Sequence, residues 1–162
     1  MQNYILIGIT AVLTAFIVFI RFTEVIKYNH NVRVFHEKNK DVAILYHDKK
    51  NIYIFLALAV VVTVVTIFME GSLLERVLMA VVFSILVISE AANAWMSSKL
   101  YASDKEFLFG QAYDRYRSIK TYKPKGKRNT YIVTLKNEEY LVPNHIAELI
   151  QQKVKEIKNS KK

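Results

Sequence analysis

The chain has 162 residues, a formal net charge of +9 and no Cys. Lack of Cys excludes disulfide frameworks, Cys-ligated zinc and Cys nucleophiles. The apolar residues are gathered into three blocks rather than spread evenly, which argues against one soluble domain of this length.

Residues 1–20 carry no charged side chain. A secretory signal would need a basic start and a small-residue cleavage site. Here Arg21 follows the apolar run and no such site comes after it, so the block reads as a retained span over residues 4–22. Tyr4 and Arg21 suit its two interfaces. Thr10 and Thr14 lie four apart, a spacing that permits close helix approach in lipid. It equally permits each hydroxyl to bond its own backbone carbonyl one turn back, which is the expected outcome.

Residues 23–51 form a connector in which Val25, Ile26 and Asn29 continue the helical period of the first span. Residues 32–34 and 42–46 fit strands or helix faces alike, and periodicity does not decide between them. His30, His36 and His47, with Glu37, Asp41 and Asp48, have the composition of a metal-ligand pool. No His pair has i,i+4 spacing, so solvated or packing histidines and no metal are expected.

The next blocks, residues 52–69 and 74–98, are separated by Glu70, Gly71 and Ser72. Each is close to the ~20 residues that cross a hydrocarbon core as a helix, with room between them for a turn only. Such Val- and Ile-rich runs would suit strands in water, but in lipid the backbone must satisfy its own polar groups, which requires helix. Tyr53 and Trp95 fit interfacial anchors. Glu90 is the outstanding residue. It falls inside the third block with Ser89 and Asn93 within one turn, an intramembrane polar site. Carboxylates there are costly and find partners. Its role is either a proton or cation relay or inter-subunit contact, or a structural hydrogen bond to Asn93, Ser89 or a first-span hydroxyl.

Lys and Arg distribution sets orientation. None precedes the first span, seven lie at Arg21, Lys27, Arg33, Lys38, Lys40, Lys49 and Lys50, only Arg76 follows the second span, and the rest come after Trp95. This places the N-terminus and the short turn outside, and the connector and C-terminal segment in the cytoplasm.

Residues 99–158 read as a small α+β module. Glu106, Phe107, Leu108, Phe109 and Gly110 make a short strand. Residues 112–123 alternate, with Tyr113, Arg115, Arg117, Ile119 and Thr121 on one face and Tyr116 and Tyr122 on the other. Pro124 and Gly126 mark a turn. Residues 130–136 alternate again, and Asn137-Glu138 turns the chain into residues 139–142. Pro143 ends that strand, Asn144 is a candidate N-cap, and Ile146, Leu149, Ile150, Val154 and Ile157 form a helical stripe. The expected core is Phe107, Phe109, Tyr131, Val133, Leu135, Leu141, Ile146, Leu149 and Ile150. Residues 159–162 form a basic tail. Lys123, Lys125, Lys127 and Arg128 are candidate contacts for anionic lipid headgroups, or else a solvated loop. They lack the aromatic motif of RNA readers, and no nucleic-acid partner is expected.

The Tyr113-Asp114-Arg115-Tyr116-Arg117-Ser118-Ile119 strand, the Lys-rich turn and the hairpin over residues 131–142, closed by an amphipathic helix after a transmembrane hairpin, resemble the pleckstrin-homology-like (PH-like) domains of small bacterial multi-pass membrane proteins. The resemblance covers residues 107–157. A complete domain of that kind has more strands than are counted here, so either the fold is reduced or residues 32–46 supply the missing ones. The resemblance implies a binding or scaffold role and brings no catalytic residues. No P-loop, dinucleotide fingerprint, nucleophile elbow or paired-carboxylate motif is present, and neither enzyme activity nor a cofactor is expected. The expectation is therefore an α-helical cell-membrane protein of three spans with a cytoplasmic antiparallel meander and helix. It would act as scaffold or regulator of a membrane or cell-envelope assembly, partnered by another membrane protein or by itself as a homo-oligomer. Self-immunity against a membrane-active peptide or toxin, or a small oligomeric transporter or channel using Glu90, are the alternatives.

Overall fold

The computed structural model describes residues 2–159; the expected tail at 159–162 lies outside them except for Asn159. The elements are α1 (Gln2–Lys38), β1 (Ala43–His47), α2 (Lys50–Ile67), α3 (Leu73–Met96), β2 (Lys99–Ala102), β3 (Glu106–Phe109), β4 (Ala112–Arg115), a 3₁₀ turn (Tyr116–Ser118), β5 (Ile119–Lys125), β6 (Asn129–Thr134), β7 (Glu139–Pro143) and α4 (Asn144–Asn159). They form two compact units. One holds residues 1–27 and 48–98, the other residues 28–47 and 99–162.

The first unit is helical. Among the described residues three helices are long and apolar enough to cross a membrane, over Gly8–Lys38, Lys50–Ile67 and Leu73–Met96. The turn between α2 and α3 is set locally. Ser72 Oγ accepts from the Glu75 amide while the Glu75 carboxylate accepts from the Ser72 amide, a reciprocal cap that satisfies two free donors at the start of α3. Gly71 takes a φ of +139°, which side chains disfavour. Arg76 reaches back to the Ile67 carbonyl at 2.9 Å, satisfying an acceptor at the end of α2. Thr63 and Ser84 hydroxyls meet at 2.9 Å across the helix pair. Thr14 donates to the Thr10 carbonyl at 2.8 Å, the back-bonded alternative.

The second unit has two antiparallel sheets, β1-β2-β3-β4 and β5-β6-β7. The connector resolves into both of its possible structures. Residues 32–34 are helical, as part of α1, and β1 pairs with β2, placing Ala43 opposite Ala102 and His47 opposite Lys99. The four-stranded sheet is covered on both faces. On one, Phe35 of α1 is fully buried with Tyr101 and Leu108. On the other, Leu100, Phe107 and Phe109 join Ile132, Val142, Ile146 and Ile150. That two-sided burial explains why β3 is buried at every position and why Phe107, Leu108 and Phe109 are all apolar after Glu106.

Three details differ from the sequence reading. The third helix ends at Met96, short of the expected 98, and the α+β module opens with a strand, Lys99–Ala102, that was not among the four expected. The continuous strand expected over 112–123 is broken by the 3₁₀ turn, which takes the chain from one sheet to the other. The expected core is also partly on the wrong face. Leu135 and Leu141 are 65% and 48% exposed and Tyr131 is half-buried, while Ile132 and Val142 are buried. The physical reason is that buried threonines stand in for apolar residues. Thr134 accepts from the Glu138 amide and Thr130 donates to the Asn144 side chain, so both can face inward beside Ile132 with their hydroxyls satisfied.

This assignment has a direct test. Ile132→Ala should destabilise the β unit by about 2–4 kcal/mol, whereas Leu135→Ala should change it by about 0.5 kcal/mol or less. Pulse proteolysis of the full chain in detergent across a urea series measures both. Equal losses would return Leu135 to the core.

Candidate functional site

Glu90, expected at the centre of a polar site, is brought together with Arg21, which the sequence reading used for the interface and the orientation of the first span but not for this site. Arg21 Nη2 donates to Glu90 Oε1 at 3.0 Å, joining α1 to α3 across 69 positions of sequence. The same guanidinium bonds Glu24, one turn along α1. Asn93 Nδ2 donates to Glu90 Oε2 at 3.4 Å, so the carboxylate has partners from both helices. Ser89 is buried in this region but takes no part: among the described residues its hydroxyl has no hydrogen-bond partner. The site is therefore Arg21, Glu24, Glu90 and Asn93. A charge-complementary pair at long range was the missing signal, since Arg21 is the sole cation on the first apolar helix before Lys27. The arrangement shares one guanidinium between two carboxylates, Glu24 on its own helix and Glu90 on α3.

The basic residues of the second candidate site gather on the β5–β6 hairpin. Lys123, Lys125, Lys127 and Arg128 are all exposed. Lys123 Nζ lies 3.3 Å from Glu139. Lys125 Nζ stands 4.8 Å from the centre of the Tyr131 ring and bonds its hydroxyl. Lys127 and Arg128 form no ion pair among the described residues. The turn is held from beneath by Asn144, whose side chain donates to the Lys127 carbonyl at 3.1 Å and whose amide donates to the Arg128 carbonyl at 2.9 Å. The Asn144 side-chain oxygen is occupied by Thr130, so this residue ties the hairpin to α4.

A third polar centre escaped the sequence reading because its members are scattered. Glu106 is buried on β3 and accepts from the Tyr113 hydroxyl at 2.8 Å and from Arg115 Nε at 3.2 Å. Burial is the largest influence on its carboxyl and acts upward. The hydrogen bonds from Tyr113, Arg115 and Asn39, with the nearby charge of Lys38, outweigh it and hold the pKa below the usual 4.5. The Tyr113 hydroxyl is pushed up to about 12, by burial first and then by donating to Glu106. Beside this centre lies a cleft of about 870 Å³, whose lining includes Asp104, Lys105, Arg117, Lys153 and Glu156. Burial likewise raises the Tyr116 hydroxyl, which lines the cleft and has no partner among the described residues. His30, His36 and His47 do not converge: among the described residues no group of three His, Asp or Glu could hold a metal ion.

Two outcomes follow from these geometries. Arg21→Gln and Glu90→Gln should each lower thermal stability, and the double variant should lose less than their sum, a coupling on the order of 1 kcal/mol. Full additivity in a double-mutant cycle would mean the pair carries no interaction. For Glu106 the depressed folded pKa contributes stability above the unfolded value, and that contribution is lost as pH falls through the folded value. Glu106→Gln should therefore be the less stable protein near neutrality, with the gap narrowing below pH 4.5. A gap that is constant in melting curves taken down to strong acid would show that the charge of Glu106 does not stabilise the unit.

No protein-family model, no curated protein and no solved structure matches the chain.

Proposed function

We propose that the chain is a multi-pass membrane protein that acts without catalysis. Its three apolar helices cross the bilayer with the N-terminus outside, and its β unit lies in the cytoplasm as scaffold or regulator of a larger membrane or cell-envelope assembly. The observation that carries the reading is unburied apolar surface. The three spans have mean hydropathy of 2.0, 2.1 and 2.0, yet at most 17% of any of these windows is buried inside the chain. Val60, Val64, Phe68, Leu73 and Val77 are among the exposed side chains. Contiguous apolar surface on that scale needs a hydrocarbon or protein neighbour.

The β unit supports a binding role. It is built of a four-stranded and a three-stranded antiparallel sheet followed by a C-terminal helix, with β1 drawn from the connector, and the resemblance to PH-like domains of small bacterial membrane proteins is part of this proposal. Its edge strand β1 leaves Ile44 and Leu45 open to a partner, which is another membrane protein or a second copy of this chain. The non-enzymatic reading is supported by Glu106, whose two carboxylate oxygens are engaged by Tyr113 and Arg115. Pairing of Glu90 with Arg21 supports a structural role for that carboxylate over an ion path.

Single cysteines test the orientation in this Cys-free chain. Glu70→Cys, in the exposed α2–α3 turn, should react with an impermeant thiol reagent on intact cells. Lys120→Cys, exposed on β5, should react only after lysis. The reverse pattern, or equal labelling, overturns the orientation. Cross-linking in membranes followed by mass spectrometry should return a stable membrane-protein partner or a dimer of the chain; recovery of the uncrosslinked monomer alone would count against the scaffold role.

A further inference from the structure

We propose that the β5–β6 hairpin binds the anionic headgroups of the same bilayer that the chain's own helices cross. The inference rests on the membrane reading above and adds to it a defined lipid-contacting element. Four observations within the β unit converge. The turn presents Lys123, Lys125, Lys127 and Arg128 within six positions, and the residues between them, Pro124 and Gly126, are exposed as well. Gly126 takes a left-handed φ of +67°, which closes the turn tightly over the Lys125–Asn129 pair and keeps the cations together. Lys127 and Arg128 are left without a carboxylate partner among the described residues. Tyr131 lies opposite Lys123 on one side and opposite Leu141 on the other, so an exposed leucine and a half-buried tyrosine border the cations. Basic residues beside Tyr and Leu are the side-chain chemistry of a bilayer interface.

The placement of the hairpin in the unit selects this occupant. Asn144 clamps the carbonyls of Lys127 and Arg128. The next residue, His145, packs its ring 4.9 Å from that of Tyr46. Tyr46 precedes His47, the last residue of β1, which pairs with Lys99, the first residue of β2. His47 and Lys99 are the two points at which the chain leaves the β unit for α2 and returns from α3. Within the unit, the basic turn is thus joined through Asn144, His145 and Tyr46 to the β1–β2 pair, at which two of the three chain crossings between the units fall. A basic element tethered to membrane-crossing helices meets headgroups at high effective concentration, and each cation near an anionic surface adds attraction that salt weakens. Nucleic acid fits less well, because the turn offers no free aromatic platform and Tyr131 is engaged by Lys125.

The test uses the full chain with Pro124→Cys, which removes no charge, labelled with an environment-sensitive dye. The labelled protein is reconstituted into nanodiscs of phosphatidylcholine alone and into an equal mixture with phosphatidylglycerol. The expected result is a blue-shifted emission in the anionic discs only, reversed by high salt and absent when Lys123, Lys125, Lys127 and Arg128 are all changed to Gln. A dye at Lys155→Cys, late on α4, should not respond. Identical emission in the two disc types, a shift that survives the Gln changes, or an equal shift at Lys155→Cys would each overturn the inference. A shift produced in neutral discs by added RNA would overturn it in favour of a nucleic-acid site. Failure of the chain to enter discs at all would sink the membrane reading itself, whereas entry without a lipid-dependent shift would sink only the hairpin's role.

Discussion

Antiparallel pairing of β1 with β2 is the constraint on which the second unit depends. It joins two stretches of chain separated by α2 and α3 and sets His47 beside Lys99. Without it, β2 would have an open edge with unpaired backbone groups, and the Phe35–Tyr101–Leu108 cluster would lose the chain that leads into it from β1. The cost is the closure of a loop of 51 residues, Asp48 through Ser98. Closure entropy grows only slowly with length, and here the loop is itself a helix pair joined by a capped turn, which shortens the effective span to be closed.

Much of the architecture was legible because its signals are local. Long uncharged runs, the Glu70-Gly71-Ser72 break, the Asn137-Glu138 turn and the apolar stripe of α4 each depend on neighbours in sequence. What was not legible depends on the rest of the fold. Whether residues 42–46 form a strand is decided by the edge that β2 offers them, which no periodicity records. Strand parity in β6 held at Val133, which is buried, but not at Tyr131 and Leu135, for a similar reason. Both faces of Thr130, Tyr131, Ile132, Val133, Thr134 and Leu135 look able to enter a core, and only hydrogen-bond partners on α4 and at Glu138 make the threonines the buried ones.

The candidate sites show the same division. The basic hairpin is contiguous and could be read directly. Glu90 was also visible, since a lone carboxylate in an apolar block stands out, but its partner was not: Arg21 lies 69 positions away and sits at the end of its own apolar run, where an arginine is ordinary. Glu106 was hidden further, because it opens a short strand whose other members are apolar. Its partners come from α1's end, β4 and the residue after α1, and only the folded unit gathers them.

The distribution of aromatic residues has a practical consequence. The sole tryptophan, Trp95, lies at the end of α3, in the helical unit. Of the ten tyrosines, all but Tyr4 and Tyr53 lie in the β unit, several of them in or against its clusters. Tryptophan is therefore confined to the helical unit, while tyrosine is concentrated in the β unit. Tryptophan emission follows the surroundings of the third apolar helix, and near-ultraviolet tyrosine dichroism follows packing in the sheets, so loss of order in one unit is spectroscopically separable from loss of order in the other without any added label.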